Sequence, residues 1–307
     1  MKAVIVRQWG GLDSAVIEEV ERPAPGPGEI LVCVKATSIN PIDWKIREGF
    51  LQDYVSLPLT LGSDIAGDIE AVGEGVEGWE VGTPVYGMKG LRGGAFAGYT
   101  TVHPNEIARK PDTLSYAEAA TVPHAAVSAW HALFGEADLQ PGQQVLIHAA
   151  AGGVGHFAVQ LAKMKGAYVI ATASARNEAF LRSFGVDQFI DYTTTKFEDA
   201  VSDVDVVLDT VGFDVAERSL DVLKPGGVIV GIVTPPPFEA AALREIKAKF
   251  FGSQPDSQTL TQIARLIDAG SIRPHVQQVF PFQNIHDALQ LSQSLHVTGK
   301  LSVNLEA

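Results

Sequence analysis

The chain has 307 residues, enough for two domains with cores of their own. Hydrophobic residues make up 46% and charged residues 19%, which suits a soluble globular enzyme. A net charge of −13 argues against nucleic acid or an anionic membrane as the main partner, because both call for basic patches.

"MKAVIVRQWGG" reads as a strand broken by Arg7, without the long apolar core of a signal peptide. No apolar run approaches the length of a membrane span. Cys33 is the single cysteine, which excludes an internal disulfide and a cysteine-rich zinc lobe. A cytoplasmic location is the simplest expectation. Downstream, "EILVCVKATSI", "AGDIEAVG" and "TPVYGM" are β-type runs punctuated by "PAPGPGE" and "GEGVEGWEVG", the pattern of a compact β-barrel-like domain. From about Ser115 the pattern changes. "YAEAATVPHAAVSAWHALF" is alanine-rich and helical in character. Then "QVLIHAA", "YVIATAS", "FIDY", "DVVLDTV" and "VIVGIV" alternate with helical segments, which implies a parallel sheet covered on both faces. The helix "TLTQIARLIDAG", the strand "VQQVFPF", the helix "IHDALQLSQSL" and the strand "KLSVNL" follow.

"HAAAGGVGHFAVQLAK" joins a buried strand to a helix. Backbone N–H groups at such a helix start face a pyrophosphate in dinucleotide sites. Gly152 permits close approach of a phosphate, Gly155 permits close packing of helix on strand, and Gly153 is a further position without a side chain. Ala151 and Val154 complete the turn. Ala149 stands where a first glycine is usual, which is tolerable if the turn there needs no positive φ. An NAD site places an acid at the end of the second strand, roughly twenty residues beyond the turn. Here that strand ends at Ala173 and is followed by Ser174, Ala175, Arg176 and Asn177. A hydroxyl and a guanidinium suit the 2′-phosphate of NADPH, since charge-assisted bonds to arginine are strong and directional. The plainer reading is a helix start with Ser174 as cap and Arg176 solvated. Asp209 to Gly212, with Val211 among them, and Gly231, Ile232 and Val233 end successive parallel strands, where such sheets bind ligands.

These segments, with "SINPIDWKIREG", "LGSDIAGDIEAVGEGVEGWEVGTPVYG", "GGAFAGYTTV", "ATASARNEAFLRSFGVDQFIDY" and "TGKLSVNL", resemble the medium-chain dehydrogenase/reductase superfamily. The likeness is to its zinc-free quinone oxidoreductase and alkenal/enone reductase branch, and it covers essentially the whole chain. It implies an α/β protein: a β-rich, GroES-like catalytic domain from residues 1–117 and 254–307, and a Rossmann doubly wound domain from 118–253, with nicotinamide and substrate in the cleft between. It implies that Ser174, Arg176 and Tyr192 hold the adenosine 2′-phosphate. Ser128 is expected near the nicotinamide, with a buried packing serine as the alternative, and Asn40 at the nicotinamide end.

The zinc-dependent branch has a cysteine where this chain has Asn40 and Gly-His-Glu where it has Gly62-Ser63-Asp64. A third ligand position holds His124. One imidazole without a thiolate does not make the usual catalytic zinc site. No metal is therefore expected, and a conjugated acceptor suits the site better than a simple alcohol. Hydride adds at the β-carbon, and a donor near the carbonyl oxygen stabilises the enolate. Lys45 is placed to face that oxygen, or a cofactor phosphate or ribose, or simply solvent. Tyr54 is a phenolic donor in a loop whose spacing departs from many quinone oxidoreductases. Trp44 and Trp130 shape a pocket or belong to the core. The leading expectation is an NADPH-dependent reductase of an activated C=C bond. Quinone reduction and a non-catalytic NADPH-binding partner protein are the alternatives. The strand around "FFGS" offers an edge for a homodimer.

Overall fold

The computed structural model describes residues 1–305. It divides into two compact units. The first comprises Met1–Val127, Gln254–Gly270 and the chain from Pro274 on, and the second Ser128–Ser253 with Ser271–Arg273.

The first unit begins with β1 (Lys2–Val6), β2 (Ala15–Glu19), β3 (Ile30–Ile39), α1 (Pro41–Arg47), β4 (Leu59–Thr60), β5 (Asp64–Val72), β6 (Pro84–Met88), β7 (Tyr99–Val102), β8 (Ile107–Arg109) and α2 (Tyr116–Ala119). A small antiparallel sheet runs β2-β1-β4. The start of α1 is written locally. Asn40 is the N-cap, Pro41 the first helical residue, and the Asp43 side chain returns to the Asn40 N–H at 2.7 Å.

The chain passes into the second unit within α3 (Pro123–Trp130), which continues as a π-helical turn at His131–Glu136. The alanine-rich segment is thus not one helix. Pro123 has no N–H to continue α2 and opens α3 instead. The first unit extends to Val127, ten residues past the expected boundary, and α2 packs on β3 and β5 within it.

The second unit alternates β9 (Gln144–Ile147), α4 (Gly153–Met164), β10 (Tyr168–Ala173), α5 (Glu178–Arg182), β11 (Gln188–Asp191), β12 (Val204–Asp209), α6 (Asp214–Ser219), β13 (Leu223–Gly231), α7 (Phe238–Leu243) and β14 (Lys247–Phe250). All pairings are parallel, in the order β11-β10-β9-β12-β13-β14. Counted from β9 this is 3-2-1-4-5-6, the doubly wound order of dinucleotide-binding sheets. Its core includes Leu146, Ile170, Val207 and Ile229. His148, 2% exposed, braces it. The Ser219 hydroxyl donates to Val215 O at 2.6 Å and so accepts from His148 Nε2 at 3.0 Å. That leaves Nδ1 to accept from the Thr172 hydroxyl at 3.1 Å. Burial drives the imidazole pKa down to about 3, so the ring stays neutral.

The chain then returns through α8 (Ser257–Asp268), β15 (Val276–Pro281), α9 (Ile285–Gln293) and β16 (Lys300–Asn304) to complete the first unit. Asp256 caps α8 through the N–H groups of Gln258 and Thr259. Leu260, Ile263, Ala264 and Ile267 form its buried stripe. The large sheet runs β15-β16-β3-β5-β6-β8, with β7 paired to β3. Its cores gather Val4, Phe96, Ile285 and Leu301 on one side and Ile30, Ile65, Val85 and Ile107 on the other. Between α8 and β15, Ser271–Arg273 belongs to the second unit. The buried Gln160 amide of α4 donates to Arg273 O at 3.0 Å and accepts from Arg273 N–H at 2.9 Å.

Candidate active site

In the second unit, β9 delivers the chain to the turn before α4. Ala149 has a φ of +46°, so the turn does need the left-handed conformation. The condition under which an alanine there would cost nothing is therefore not met. An L-residue there costs about 1–2 kcal/mol, and Ala150 N–H on Thr172 O and Gly152 N–H on Ala149 O hold it in place. Gly152 caps α4. A β-carbon on it would meet only Ala149 O, at 3.2 Å, so the space before the helix is open. On Gly155 a β-carbon would lie 2.5 Å from Ala149 O and 2.6 Å from Ala150 Cα, so the helix rests directly on the turn. Gly153, Val154 and Gly155 form the first helical turn, whose N–H groups have no acceptor within the helix. Ala151 is buried beneath them. This donor set fits a pyrophosphate.

Ala173, at the end of β10, pairs in register with Asp191 at the end of β11. Ser174 follows the first and Tyr192 the second, and Tyr192 N–H reaches Ala173 O at 3.4 Å. The register therefore brings Ser174, Arg176 and Tyr192 to one edge of the sheet. Ser174 makes no capping bond; its hydroxyl accepts from Asn177 Nδ2 at 3.3 Å. Arg176 and Tyr192 are exposed. Sequence alone does not point to Asp191, because it ends β11 and not β10. Its carboxyl is held below the usual range by the Thr193 hydroxyl and N–H, and by the Ala175 N–H.

At the end of β12, Asp209 Oδ1 accepts from the N–H groups of Val211 and Gly212, both at 2.9 Å. Its Oδ2 is buried without a partner among the described residues, and burial raises its pKa. Gly212 has a φ of +82°, and a β-carbon there would lie 2.6 Å from Thr234 Oγ1. Gly231 ends β13, Ile232 N–H bonds Asp209 O, and Val233 is half-buried. Ser128 is buried in α3. Trp130 packs edge-on against Phe134.

The first unit holds a buried polar cluster. Asp64 Oδ2 accepts from Ser38 Oγ at 2.6 Å and Asn40 Nδ2 at 2.7 Å, and Oδ1 accepts from His124 N–H at 2.9 Å. Lys300 Nζ donates to Asn40 Oδ1 at 2.5 Å and Ile39 O at 3.0 Å, and lies 3.6 Å from Asp64 Oδ2. Burial lowers the Lys300 pKa and holds the His124 imidazole below its usual range. Burial also pushes Asp43 up to about 7. The positions of the absent zinc ligands, Asn40, Ser63 and His124, thus adjoin or bind one aspartate. Asn40, expected to reach a nicotinamide, has both ends of its amide engaged in this network. No sequence motif marks Asp64 and Lys300 as partners in this cluster. A lysine at the head of "KLSVNL" reads as an exposed strand end, and only the pairing of β16 with β3 buries it.

Lys45, on α1, is half-buried, and its ammonium makes no hydrogen bond or ion pair among the described residues. Its ammonium lies 5.7 Å from the centre of the Trp44 ring, and burial lowers its pKa. Trp44 Nε1 and Ser63 Oγ are buried without partners among the described residues. Tyr54 is 75% exposed on the loop after α1. Among the described residues no group of three His, Cys, Asp or Glu side chains is arranged to hold a metal. A cavity of about 590 Å³ lined by Trp79, Arg109, Thr261 and Arg265 shares no residue with the cluster.

Residues 26–112 match the alcohol dehydrogenase GroES-like domain and residues 184–303 the zinc-binding dehydrogenase family. The chain is 34% identical to the NADPH-dependent alkenal/one oxidoreductase, chloroplastic, of Arabidopsis thaliana, over 99% of this chain and 79% of that protein. The quinone oxidoreductase of Coxiella burnetii superposes with a TM-score of 0.94 at 34% identity, covering 100% of this chain and 99% of that one. The Escherichia coli quinone oxidoreductase complexed with NADPH gives a TM-score of 0.90 at 28% identity, covering 99% of this chain and 100% of that one. The two family matches, the shared fold and 34% identity over nearly the whole chain establish that the chain belongs to the quinone/enone oxidoreductase branch of the medium-chain dehydrogenase/reductase superfamily.

Proposed function

We propose that the protein is an NADPH-dependent, zinc-independent reductase of the C=C bond of α,β-unsaturated carbonyls. The observation that carries this reading is the register pair Ala173–Asp191, which gathers Ser174, Arg176 and Tyr192 at one sheet edge as a seat for a 2′-phosphate. The likeness to the NADPH-dependent alkenal/one oxidoreductase supports the acceptor class. Bound NADPH supplies the hydride. The first turn of α4 holds the pyrophosphate through its N–H groups, and Arg176 reads the 2′-phosphate. Asn40 and Lys45 are the donors assigned to the carbonyl oxygen as charge gathers there. Lys45 has a second assignment, to a cofactor ribose or phosphate. Asn40 and Ser63 in ligand positions support zinc independence, so elemental analysis should find no stoichiometric zinc and chelators should leave the rate unchanged.

Quinones are the second acceptor class, favoured by the likeness to the Coxiella and Escherichia quinone oxidoreductases. Reduction of an enone with deuterated NADPH tests the main reading. Label on the β-carbon supports it, and label on the carbonyl carbon refutes it. Turnover of quinones alone moves the assignment to the second class. No helix among the described residues is long and apolar enough to cross a membrane. The acidic charge and single cysteine support a cytoplasmic setting. The outer edge of β14, with Phe250 exposed, supports pairing with a second copy.

A further inference from the structure

Lys300 is 4% exposed and Asp64 is fully buried. Removing an ammonium from water is costly unless partners replace its hydration, and an apolar side chain of similar length would fill the same space without that cost. The strand does not require the charge. Lys300 joins β16 through its backbone, with its N–H on His275 O and its register neighbour Leu301 opposite Ile39. What the ammonium does touch is the side chain of Asn40, at 2.5 Å, and the carbonyl just before it, Ile39 O, at 3.0 Å.

A carboxamide fits its site in two orientations that exchange oxygen and nitrogen. Lysine can only donate and an ionised aspartate can only accept. Lys300 on Oδ1 and Asp64 on Nδ2 therefore allow one orientation and penalise the other on both sides. The backbone is fixed as well, since Asn40 N–H is held by Asp43. In this orientation one Nδ2 hydrogen is committed to Asp64 and the other is the amide's remaining donor. A cation on Oδ1 also draws charge from the amide and makes that N–H a stronger donor, as in any polarised hydrogen-bond chain.

We propose that Lys300 is a positioning residue for the reaction: together with Asp64 it locks and polarises the Asn40 amide, so that Nδ2 donates to the oxygen of the reacting carbonyl. This rests on the reading of the protein as a carbonyl-conjugated C=C or quinone reductase. Lys300 itself does not meet the substrate. It puts a fixed positive charge behind a neutral donor in a site without metal ligands.

The test is a double-mutant cycle on purified protein with an enone, repeated with a quinone, measuring kcat and both KM values. Asn40→Ala should lower kcat on the order of a hundred- to a thousandfold, as the loss of a transition-state donor does, and Lys300→Met on the order of tenfold or more, with the KM for NADPH within about twofold of wild type. The double variant should be no slower than the slower single variant, because Lys300 acts through Asn40. Lys300→Arg, which keeps the charge, should recover most of the rate. Should Lys300→Met fail to fold, Asp64→Asn replaces it in the cycle. It removes the fixed acceptor, keeps the shape and should show the same non-additivity. A normal kcat in Lys300→Met or Asp64→Asn, or losses that multiply in the double variant, would overturn the proposal and leave the proposed function standing. A wild-type protein that reduces neither enone nor quinone would refute the reading and the proposal with it.

Discussion

The carbonyl oxygen of Ala149 stands 2.5 Å from the place a β-carbon on Gly155 would occupy. The oxygen belongs to a left-handed residue whose conformation is set by the turn, so it cannot retreat without undoing the turn itself. Gly155→Ala should therefore displace the start of α4, lower stability by about 1–3 kcal/mol and weaken NADPH binding. Thermal unfolding and a fluorescence titration with NADPH check both effects. Unchanged binding would show that the helix start has slack.

Arg176→Ala should weaken NADPH by roughly ten- to a hundredfold, the equivalent of losing one charged hydrogen bond of about 1.5–3 kcal/mol. NADH should be nearly unaffected, since it has no 2′-phosphate. Titration of both cofactors decides. Equal losses would show that Arg176 does not read the phosphate.

His148 makes stability depend on pH in a defined direction. Its folded pKa of about 3 lies below the unfolded value, so the native state resists a proton that the unfolded state takes up. The stabilisation is fully present above the unfolded pKa of roughly 6.5 and falls by up to about 1.4 kcal/mol per pH unit below it. Asp43 acts in the opposite sense: its pKa is raised to about 7, so its protonation favours the native state as pH falls. The contrast between His148→Gln and wild type isolates the histidine. The variant should be less stable at pH 7.5, and the gap should narrow as pH drops from 6.5 towards 4. A gap independent of pH, by chemical denaturation across that range, would contradict the neutral buried imidazole.

Lys45→Ala separates the two assignments of that side chain. As a donor to the reacting carbonyl, its loss lowers kcat and kcat/KM together. As a ligand of the cofactor, its loss raises the KM for NADPH and leaves kcat near wild type. Steady-state kinetics with each substrate varied in turn distinguishes them.

The alternation of short apolar strands with helical segments from Gln144 to Gly231 was legible because a parallel sheet buries both faces of every strand. The start of α1 is written locally, in Asn40-Pro41 followed by Asp43, but only the structure shows those residues as a cap. Other features depended on register. Asp191 comes level with Ala173, just before Ser174, only because β11 lies beside β10, and Lys300 is buried only because β16 pairs with β3. Neither neighbour is near in sequence. The conformation of Ala149 had no local signal, since alanine rarely adopts a positive φ and the surrounding turn imposes it.

The grip of Gln160 on Arg273 bears on any attempt to isolate the nucleotide-binding half. Cut out as one continuous piece, residues 128–253 would lose the connecting segment that answers both sides of a buried amide. Gln160 Nε2 would keep its bond to His156 O, but Oε1 would lose the Arg273 N–H, at a cost of about 1–3 kcal/mol if it stays buried. A recombinant fragment meant to fold alone needs Ser271–Arg273 grafted back, or Gln160 replaced by an apolar residue of similar size.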